Sequence, residues 1–153
     1  MKVTSIHHYS SKRQVIAAFK EGDMLALELI AVELAGLIKA RRLKGLLVPV
    51  PSHSGMTIKL VKRIAEITGL TSRTIIKRKF SYQSSCIRRR HGLRPNGIDK
   101  IQNSIYALPC KAKSIIMVDD VMTSGNTLKA CSKVLNVKNL VCITYCTATR
   151  KAR

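Results

Sequence analysis

The stretch "IIMVDDVMTSGNTL", residues 115–128, decides both the fold and the candidate site in this sequence. Its four leading apolar residues predict a buried strand, and two adjacent carboxylates, Asp119 and Asp120, follow directly. A turn of small and hydroxyl-bearing residues, 123–127, then leads into a segment with the apolar spacing of a helix. The double negative charge needs an explanation, because the chain carries only 8 Asp and Glu against 28 Lys and Arg.

Helix-like and strand-like segments alternate on both sides of this stretch. Residues 11–41 have a helical pattern, with Asp23 as the expected N-cap of the second part. This alternation predicts an α/β fold with a central, mostly parallel sheet flanked by helices. The length of 153 residues predicts a single domain over 1–153. Further helices are predicted at 55–69 and 126–136, and strands at 46–51, 73–79, 104–108, 114–120 and 139–148.

The overall charge of +20 indicates affinity for polyanions or phosphorylated small molecules. No apolar run approaches the roughly 20 residues that span a bilayer, and the N-terminus lacks an apolar signal core. We therefore expect a cytoplasmic protein without membrane insertion. The five cysteines lack the paired spacing of a zinc site, so we expect free thiols in a reducing compartment and no protein metal site. His7 and His8 are expected to form a surface pair.

The turn after the two aspartates has the composition of a phosphate-binding loop. Backbone N–H groups converge at a helix N-terminus, hydroxyl groups add donors, and Gly125 allows close approach. Carboxylates beside a phosphate require neutral groups between them, and vicinal sugar hydroxyls fit that need. The stretch therefore predicts a site for a ribose 5′-phosphate. The alternative is an ordinary strand–helix turn with a capping aspartate, and no Walker motif is present.

The same residues resemble the phosphoribosyl-pyrophosphate (PRPP) motif of type I phosphoribosyltransferases. "VDDVMTSGNTL" is especially similar to the ComF/GntX branch of competence proteins. Further segments match that branch in order, and the resemblance extends from about His8 to Arg150. Proteins of this branch usually carry an N-terminal four-cysteine zinc ribbon, whereas this sequence starts at the phosphoribosyltransferase-like domain. The other matching segments are "HHYSSKRQVIAAFK", "LLVPVPSH", "RTIIKRKFSYQSS" and "IQNSIYAL".

The resemblance implies roles for individual residues of this chain. Mg²⁺ is implied as a cofactor held through bound PRPP, and residues 81–99 would form a flexible hood loop over the site. Lys20 matches a lysine common in the family. The resemblance assigns ribose binding to Asp119 and Asp120, 5′-phosphate binding to Thr123, Ser124, Gly125, Asn126 and Thr127, and the pyrophosphate loop to Ser52, His53, Ser54 and Gly55.

Residues 80–99 form a long polar and basic stretch without a sustained period, which is typical of a functional or mobile loop. Its arginines are candidates for contacts with pyrophosphate or with a nucleic-acid backbone, and a solvated charged loop is the alternative. The candidates are Arg88, Arg89, Arg90 and Arg94.

Two functions fit these observations. The first is a PRPP-binding phosphoribosyltransferase-type enzyme of the ComF type, catalysing pentosyl transfer and linked to DNA uptake in natural competence. The second is a module that handles single-stranded DNA and uses the same fold without turnover. No Ser-His-Asp or Cys-His set is apparent, so no catalytic residue is assigned. The sequence leaves the acceptor substrate and a homodimeric assembly open.

Overall fold

A computed structural model describes residues 1–79, 91–94 and 97–148 of the chain. Six strands and five helices follow one another within these residues. Their bounds are β1 Lys2–His8, α1 Tyr9–Glu21, α2 Met24–Ala40, β2 Leu46–Pro49, α3 Met56–Thr68, β3 Ile76–Arg78, α4 Ile98–Asn103, β4 Ile105–Ala107, β5 Ser114–Met122, α5 Asn126–Leu135 and β6 Asn139–Thr147.

The centre of the molecule is a four-stranded sheet in the order β1-β6-β5-β2, and all three of its strand pairs are parallel. Strand β2 is buried along its whole length, as expected for a parallel strand covered on both faces. This arrangement confirms the α/β fold with a central parallel sheet flanked by helices that the sequence predicts.

Two apolar clusters cover the two faces of the sheet. On one face, helices α1, α2 and α3 pack on alternate residues of β5 and β6, among them Ile116, Val118 and Ile143. On the other face, α4 and α5 pack on the intervening residues, such as Ile115 and Met117. The alternation follows from strand geometry, in which successive side chains point to opposite faces. The helices therefore cover both faces of the sheet.

The helix ends follow the expected chemistry. The Asp23 carboxylate caps α2 by accepting hydrogen bonds from the backbone N–H groups of Leu25 and Ala26, at 2.8 and 2.9 Å. This confirms the predicted N-cap, which is typically worth about 1 kcal/mol. Gly69 ends α3 in the left-handed region, at φ 73°, and donates its N–H to Ala65. Such a C-cap favours glycine because glycine has no Cβ.

Several predicted boundaries were wrong. Strand β1 was not predicted, because its polar residues, including Thr4 and Ser5, hide a parallel edge strand. Strands β3 and β4 form a separate antiparallel pair, not part of the central sheet. Helix α4 begins at Ile98, inside the stretch 81–99 that was expected to be loop. Its six residues are too few to show a helical period, and burial of Ile101 anchors it.

Four cysteines lie in the described part of the chain and all are free thiols. Burial raises the pKa of Cys131 and Cys142, so these thiols stay protonated and inert. Within residues 1–79, 91–94 and 97–148, no helix is long and apolar enough to cross a membrane.

Candidate functional site

The two aspartates lie near the carboxyl end of β5, in the middle of the sheet. The strand extends to Met122, two residues beyond the predicted end at 120, and Asp119 and Asp120 belong to the strand, as predicted. Their side chains therefore leave opposite faces of the sheet. Asp120 points towards α1, where Lys20 lies, and Asp119 lies on the side of α5, where its charge acts on Cys131.

Asp120 is the better buried of the two, at 8% exposure. The Lys20 ammonium lies 3.5 Å from its Oδ2 atom and supplies a compensating charge. Asp119 accepts a hydrogen bond through Oδ1 from the backbone N–H of Asp120, at 2.9 Å. Each carboxylate thus has one partner that holds it near the strand end.

The two carboxyl groups are close enough to influence each other's ionisation. Burial, and then the neighbouring charge of Asp120, raise the pKa of Asp119 well above its ordinary value of 3.8, and Lys20 opposes the rise. A carboxyl group with a raised pKa holds a proton over a wider pH range and can then donate a hydrogen bond as well as accept one.

A sharp turn connects β5 to α5 at residues 123–125. Gly125 is the N-cap of α5 with φ 73° and ψ 2°, a left-handed conformation that glycine adopts without strain. The Ser124 hydroxyl accepts a long hydrogen bond, 3.4 Å, from the N–H of Asn126. Thr123 and Ser124 are exposed at the turn, while Asn126 and Thr127 form the first turn of the helix. The five predicted phosphate-loop residues therefore surround one helix N-terminus.

The turn between β2 and α3 repeats this construction. Gly55 is the N-cap of α3 with φ 71° and ψ −2°, and the Ser54 hydroxyl accepts a hydrogen bond from the N–H of Met56 at 3.3 Å. Each turn therefore contains a Ser-Gly pair with a left-handed glycine and a serine bonded two residues ahead. His53 is exposed beside Ser54, and Ser52 is half-buried.

The two turns lie side by side because their strands are neighbours. Strand β2 pairs in parallel with β5, and beyond the paired residues the N–H of Val50 donates to the carbonyl oxygen of Val118 at 2.9 Å. Both chains then turn at the same edge of the sheet, with the two aspartates next to them on β5. The sheet thereby brings together the residues predicted to bind ribose, 5′-phosphate and pyrophosphate.

A cavity of about 590 Å³ opens beside the β2–α3 turn. Residues 49–55 form one wall, and the opposite wall consists of β3 and the residue that follows it, with Lys77, Arg78 and Lys79. The hydroxyl oxygens of Ser52 and Thr57 are buried at this turn without a hydrogen-bond partner among the described residues. Buried hydroxyl groups are normally bonded, and Ser52 also lines the cavity, so its unbonded hydroxyl is informative.

The sequence did not predict that Lys77, Arg78 and Lys79, which line this cavity, belong to the candidate site. The sequence "RTIIKRK" was interpreted only as a strand, although its apolar half and its basic half differ clearly. The apolar residues Ile75 and Ile76 are buried, and the basic residues follow as the chain leaves the core. A switch from buried aliphatic to consecutive cationic residues is the signal that could have identified it.

A cluster of polar side chains lies near the carboxyl ends of β1 and β6. Glu33 of α2 binds His7 of β1 through one oxygen, and its other oxygen accepts a hydrogen bond from the Tyr145 hydroxyl at 3.2 Å. The Lys12 ammonium lies 3.7 Å from the same oxygen. His7 is therefore partly buried and bonded, so the predicted surface pair with His8 was wrong. His8 itself is exposed and caps α1.

The basic loop can be placed only in part. Arg88, Arg89 and Arg90 lie outside the described residues, as does most of the predicted hood loop 81–99. Arg94 is exposed, in the short described segment 91–94. Within the described residues, no group of three or more His, Cys, Asp or Glu side chains could hold a metal ion.

No protein-family model matches the chain, and no curated protein matches it. Solved structures do match. One, described as the structure of the allosteric regulatory enzyme of purine biosynthesis, is 16% identical over 77% of this chain, with a TM-score of 0.50. The match covers 25% of that chain, so this protein spans about a quarter of its length.

Two further matches are enzymes whose names give their activity. A purine phosphoribosyltransferase from Pyrococcus horikoshii is 15% identical over 79% of this chain and 82% of its own, with a TM-score of 0.48. A hypoxanthine phosphoribosyltransferase from Staphylococcus aureus is 17% identical over 82% of this chain and 68% of its own, with a TM-score of 0.46. Likeness at these identities is a likeness of fold. The chain has an α/β fold with a central parallel sheet flanked by helices, like the matched part of the regulatory enzyme of purine biosynthesis.

Proposed function

We propose that this protein binds PRPP together with Mg²⁺ at the carboxyl edge of the sheet and transfers the phosphoribosyl group to an acceptor. The main support for the proposal is the pair of matching Ser-Gly turns, at Gly55 and Gly125. They lie at the same edge of the sheet as the two aspartates. PRPP carries a phosphate at each end and hydroxyl groups between them. Its phosphates can therefore be matched to the two turns, and its hydroxyl groups to the two aspartates.

The 5′-phosphate is assigned to the β5–α5 turn. The first N–H groups of α5 lack partners within the helix, and the exposed hydroxyls of Thr123 and Ser124 add donors. Gly125 has nothing closer to a Cβ position than the Met122 sulfur at 3.8 Å, so a ligand can approach its backbone. The helix dipole contributes only about 0.3–1 kcal/mol, so direct hydrogen bonds must supply most of the affinity.

The pyrophosphate is assigned to the β2–α3 turn and the cavity beside it. The loop "SHSGMT" contains no arginine or lysine, but the opposite wall supplies Lys77, Arg78 and Lys79. The hydroxyl of Ser52, which lines the cavity and has no hydrogen-bond partner among the described residues, is a donor that a phosphate oxygen could satisfy. These two sets of groups support pyrophosphate binding better than the loop sequence does alone.

The ribose is assigned to Asp119 and Asp120, which lie near the carboxyl end of β5, just before the β5–α5 turn. Charged carboxylates accept hydrogen bonds from the 2′- and 3′-hydroxyl groups, and Lys20 holds Asp120 in place through its ion pair. Carboxylate oxygens are also the ligands that Mg²⁺ shares with substrate phosphates, so the donor set fits that ion. Bound Mg²⁺ would neutralise charge on the pyrophosphate.

In the reaction, the bond between the ribose C1′ and the pyrophosphate oxygen breaks, and the acceptor bonds to C1′. Positive charge develops on the ribose ring and negative charge on the leaving group. The two aspartates stabilise the first, and the second is stabilised by Lys77, Lys79 and the N-terminus of α3. The two turns hold the ends of the substrate in place, which orients C1′ towards the acceptor.

Calorimetry with three ligands tests the assignment. PRPP with Mg²⁺ should bind at least tenfold more tightly than ribose 5-phosphate or pyrophosphate alone, because it reaches both turns. Equal affinity for PRPP and ribose 5-phosphate would exclude a pyrophosphate site at the β2–α3 turn. Formation of free pyrophosphate in the presence of candidate acceptor bases would then test turnover.

A second function is favoured by the charge of +20, concentrated away from α2. We infer that the protein also handles single-stranded DNA, in agreement with the resemblance to ComF-type competence proteins and a role in DNA uptake. The basic stretch that includes Arg88, Arg89, Arg90 and Arg94 would contact the DNA backbone. Binding should weaken with salt, with a log–log slope of about −0.7 per neutralised phosphate. A flat salt response would exclude it.

A further inference from the structure

Helix α2 carries a second apolar stripe on the side away from the core. Leu25 is 83% exposed, Leu29 42% and Val32 51%, and a Cβ at Gly36 would meet nothing within 4 Å. Intervals of 4, 3 and 4 residues place all four positions within about 60° of one another at 3.6 residues per turn. Surface helices normally carry polar residues on this side, so an apolar stripe indicates a contact surface.

The charge along the same region is strongly asymmetric. Residues 21–33 contain four of the eight acids of the chain and no lysine or arginine. Residues 39–44 contain four bases and no acid. The region therefore has an acidic end and a basic end in a protein that is otherwise basic. The acids are Glu21, Asp23, Glu28 and Glu33, and the bases are Lys39, Arg41, Arg42 and Lys44.

We propose that a second copy of this chain packs on α2 with its own α2 antiparallel to the first. If the two-fold axis passes between Ile30 and Ala31, Leu25 of each copy faces Gly36 of the other. Leu29 likewise faces Val32 of the other copy. Each large side chain then meets a smaller residue, and the acidic end of each helix meets the basic end of the other.

The side chains beside the stripe permit this approach. Glu28 is held by a two-bond contact with Arg63, at 2.7 and 2.8 Å, and Glu33 is bonded to His7. Their charges are therefore compensated within each copy, and they do not repel their counterparts across the interface. Repulsion between carboxylates is thus avoided at the centre of the α2–α2 interface. At each end of the interface, the acidic end of one helix meets the basic end of the other.

A second copy fits this surface better than other partners do. Glu21 and Asp23, beside the N-terminus of α2, repel nucleic acid, and a purely acidic partner would be repelled there as well. A partner must match an apolar stripe with opposite charges at its two ends. This chain presents that pattern itself, in the self-complementary form that two-fold symmetry requires.

Sedimentation of the full chain tests the proposal. At roughly 50 µM, above the micromolar dissociation constants of modest interfaces, the protein should sediment at twice its 17.0 kDa chain mass. Val32→Glu should yield monomer. Leu93→Glu, which adds the same charge at a residue 46% exposed outside the helix, should leave the dimer intact. A monomeric wild-type protein, or a dimeric Val32→Glu variant, would overturn the proposal.

Cysteine cross-linking tests the antiparallel orientation independently. Mixing Leu25→Cys chains with Gly36→Cys chains should yield an oxidised dimer, because the two positions face each other. Leu25→Cys chains alone should not cross-link beyond the wild-type level, because two Leu25 residues lie about 16 Å apart at 1.5 Å per residue. Cross-linking of Leu25→Cys alone would indicate parallel helices and contradict the proposal. Neither experiment depends on PRPP binding.

Discussion

The ammonium of Lys20 on helix α1 lies 3.5 Å from the Asp120 carboxylate on strand β5. The Lys20 side chain is about half-exposed and the Asp120 side chain is nearly buried, so the lysine reaches inward over the strand end. The ion pair therefore connects the first helix of the chain to the centre of the candidate site.

Replacing Lys20 with methionine should weaken PRPP binding three- to tenfold. The substitution removes the charge that compensates Asp120, so the carboxylates repel the phosphates more strongly. The loss of stability should be about 1 kcal/mol or less, because half-exposed ion pairs contribute little. Calorimetry and urea denaturation measure both effects. Lys62→Met, on exposed α3 surface, is the matched control, and an equal effect of the two variants would remove Lys20 from the site.

Asp119→Asn should stabilise the protein at neutral pH while weakening PRPP binding. The pKa of Asp119 is raised in the folded state, so folding favours its protonated form. Its contribution to stability is full below pH 3.8 and declines as pH rises towards the folded pKa. Asparagine keeps the bond from the Asp120 N–H without the charge.

Urea denaturation of both proteins across a pH series measures this linkage. The difference in stability should vanish near pH 3 and favour the asparagine variant at neutral pH. A constant difference at every pH would show that the pKa of Asp119 is the same in the folded and unfolded states.

Gly125→Ala should destabilise the protein and weaken phosphate binding. The left-handed conformation at φ 73° costs a residue with a Cβ about 1–2 kcal/mol. Gly36→Ala is the matched control with the opposite sign. In the monomeric Val32→Glu background no second copy covers α2, and a Cβ at Gly36 meets nothing within 4 Å, so alanine there should stabilise by about 0.5–1 kcal/mol. Thermal denaturation compares them, and equal signs would contradict the conformational argument.

Lys77→Gln and Lys79→Gln should weaken pyrophosphate binding more than ribose 5-phosphate binding. Both lysines line the cavity wall opposite the β2–α3 turn, so the effect should be confined to ligands that reach that turn. We expect a three- to tenfold loss of pyrophosphate affinity, measured by calorimetry. Lys138→Gln, exposed at the start of β6, should change neither affinity. A uniform loss for both ligands would indicate only a general reduction of charge.

Glu33→Ala and Tyr145→Phe should show coupled losses of stability. Burial opposes ionisation of Glu33, but its bond to His7 and the charges of His7 and Lys12 hold its pKa below 4.5. Glu33 therefore stabilises the fold above that pH, and the contribution disappears as pH falls through the folded pKa. A double-mutant cycle at pH 7 should give a coupling energy of roughly 0.5–1.5 kcal/mol for the Tyr145–Glu33 bond. Additive losses would show that the bond contributes nothing.

The sequence predicted the elements that bury apolar residues in regular patterns. Strands β2 and β5 and helices α2 and α3 were predicted close to their observed bounds, because periodicity and capping residues such as Asp23 act locally. Strand β1 could not be predicted in this way. Its stability comes from pairing with β6, a contact between residues more than 130 positions apart.

The candidate site was predictable where its residues are adjacent in sequence and unpredictable where folding brings them together. The run from Asp119 to Thr127 is one such segment, and its residues do lie around one strand end. The packing of separate elements places Lys77 and Lys79 at the cavity. It also brings Lys20 to Asp120 as an ion pair. Which of these residues bind ligand remains a prediction for the experiments above.

The parallel pairing of β2 with β5 has a consequence for ligand selection. The strands that lead into the two Ser-Gly turns are adjacent, at the usual strand spacing of about 4.8 Å, and share one register. On the proposed assignment the edge would select ligands by length: a molecule with one phosphate would occupy either turn, but only one with two phosphates at the matching separation would engage both.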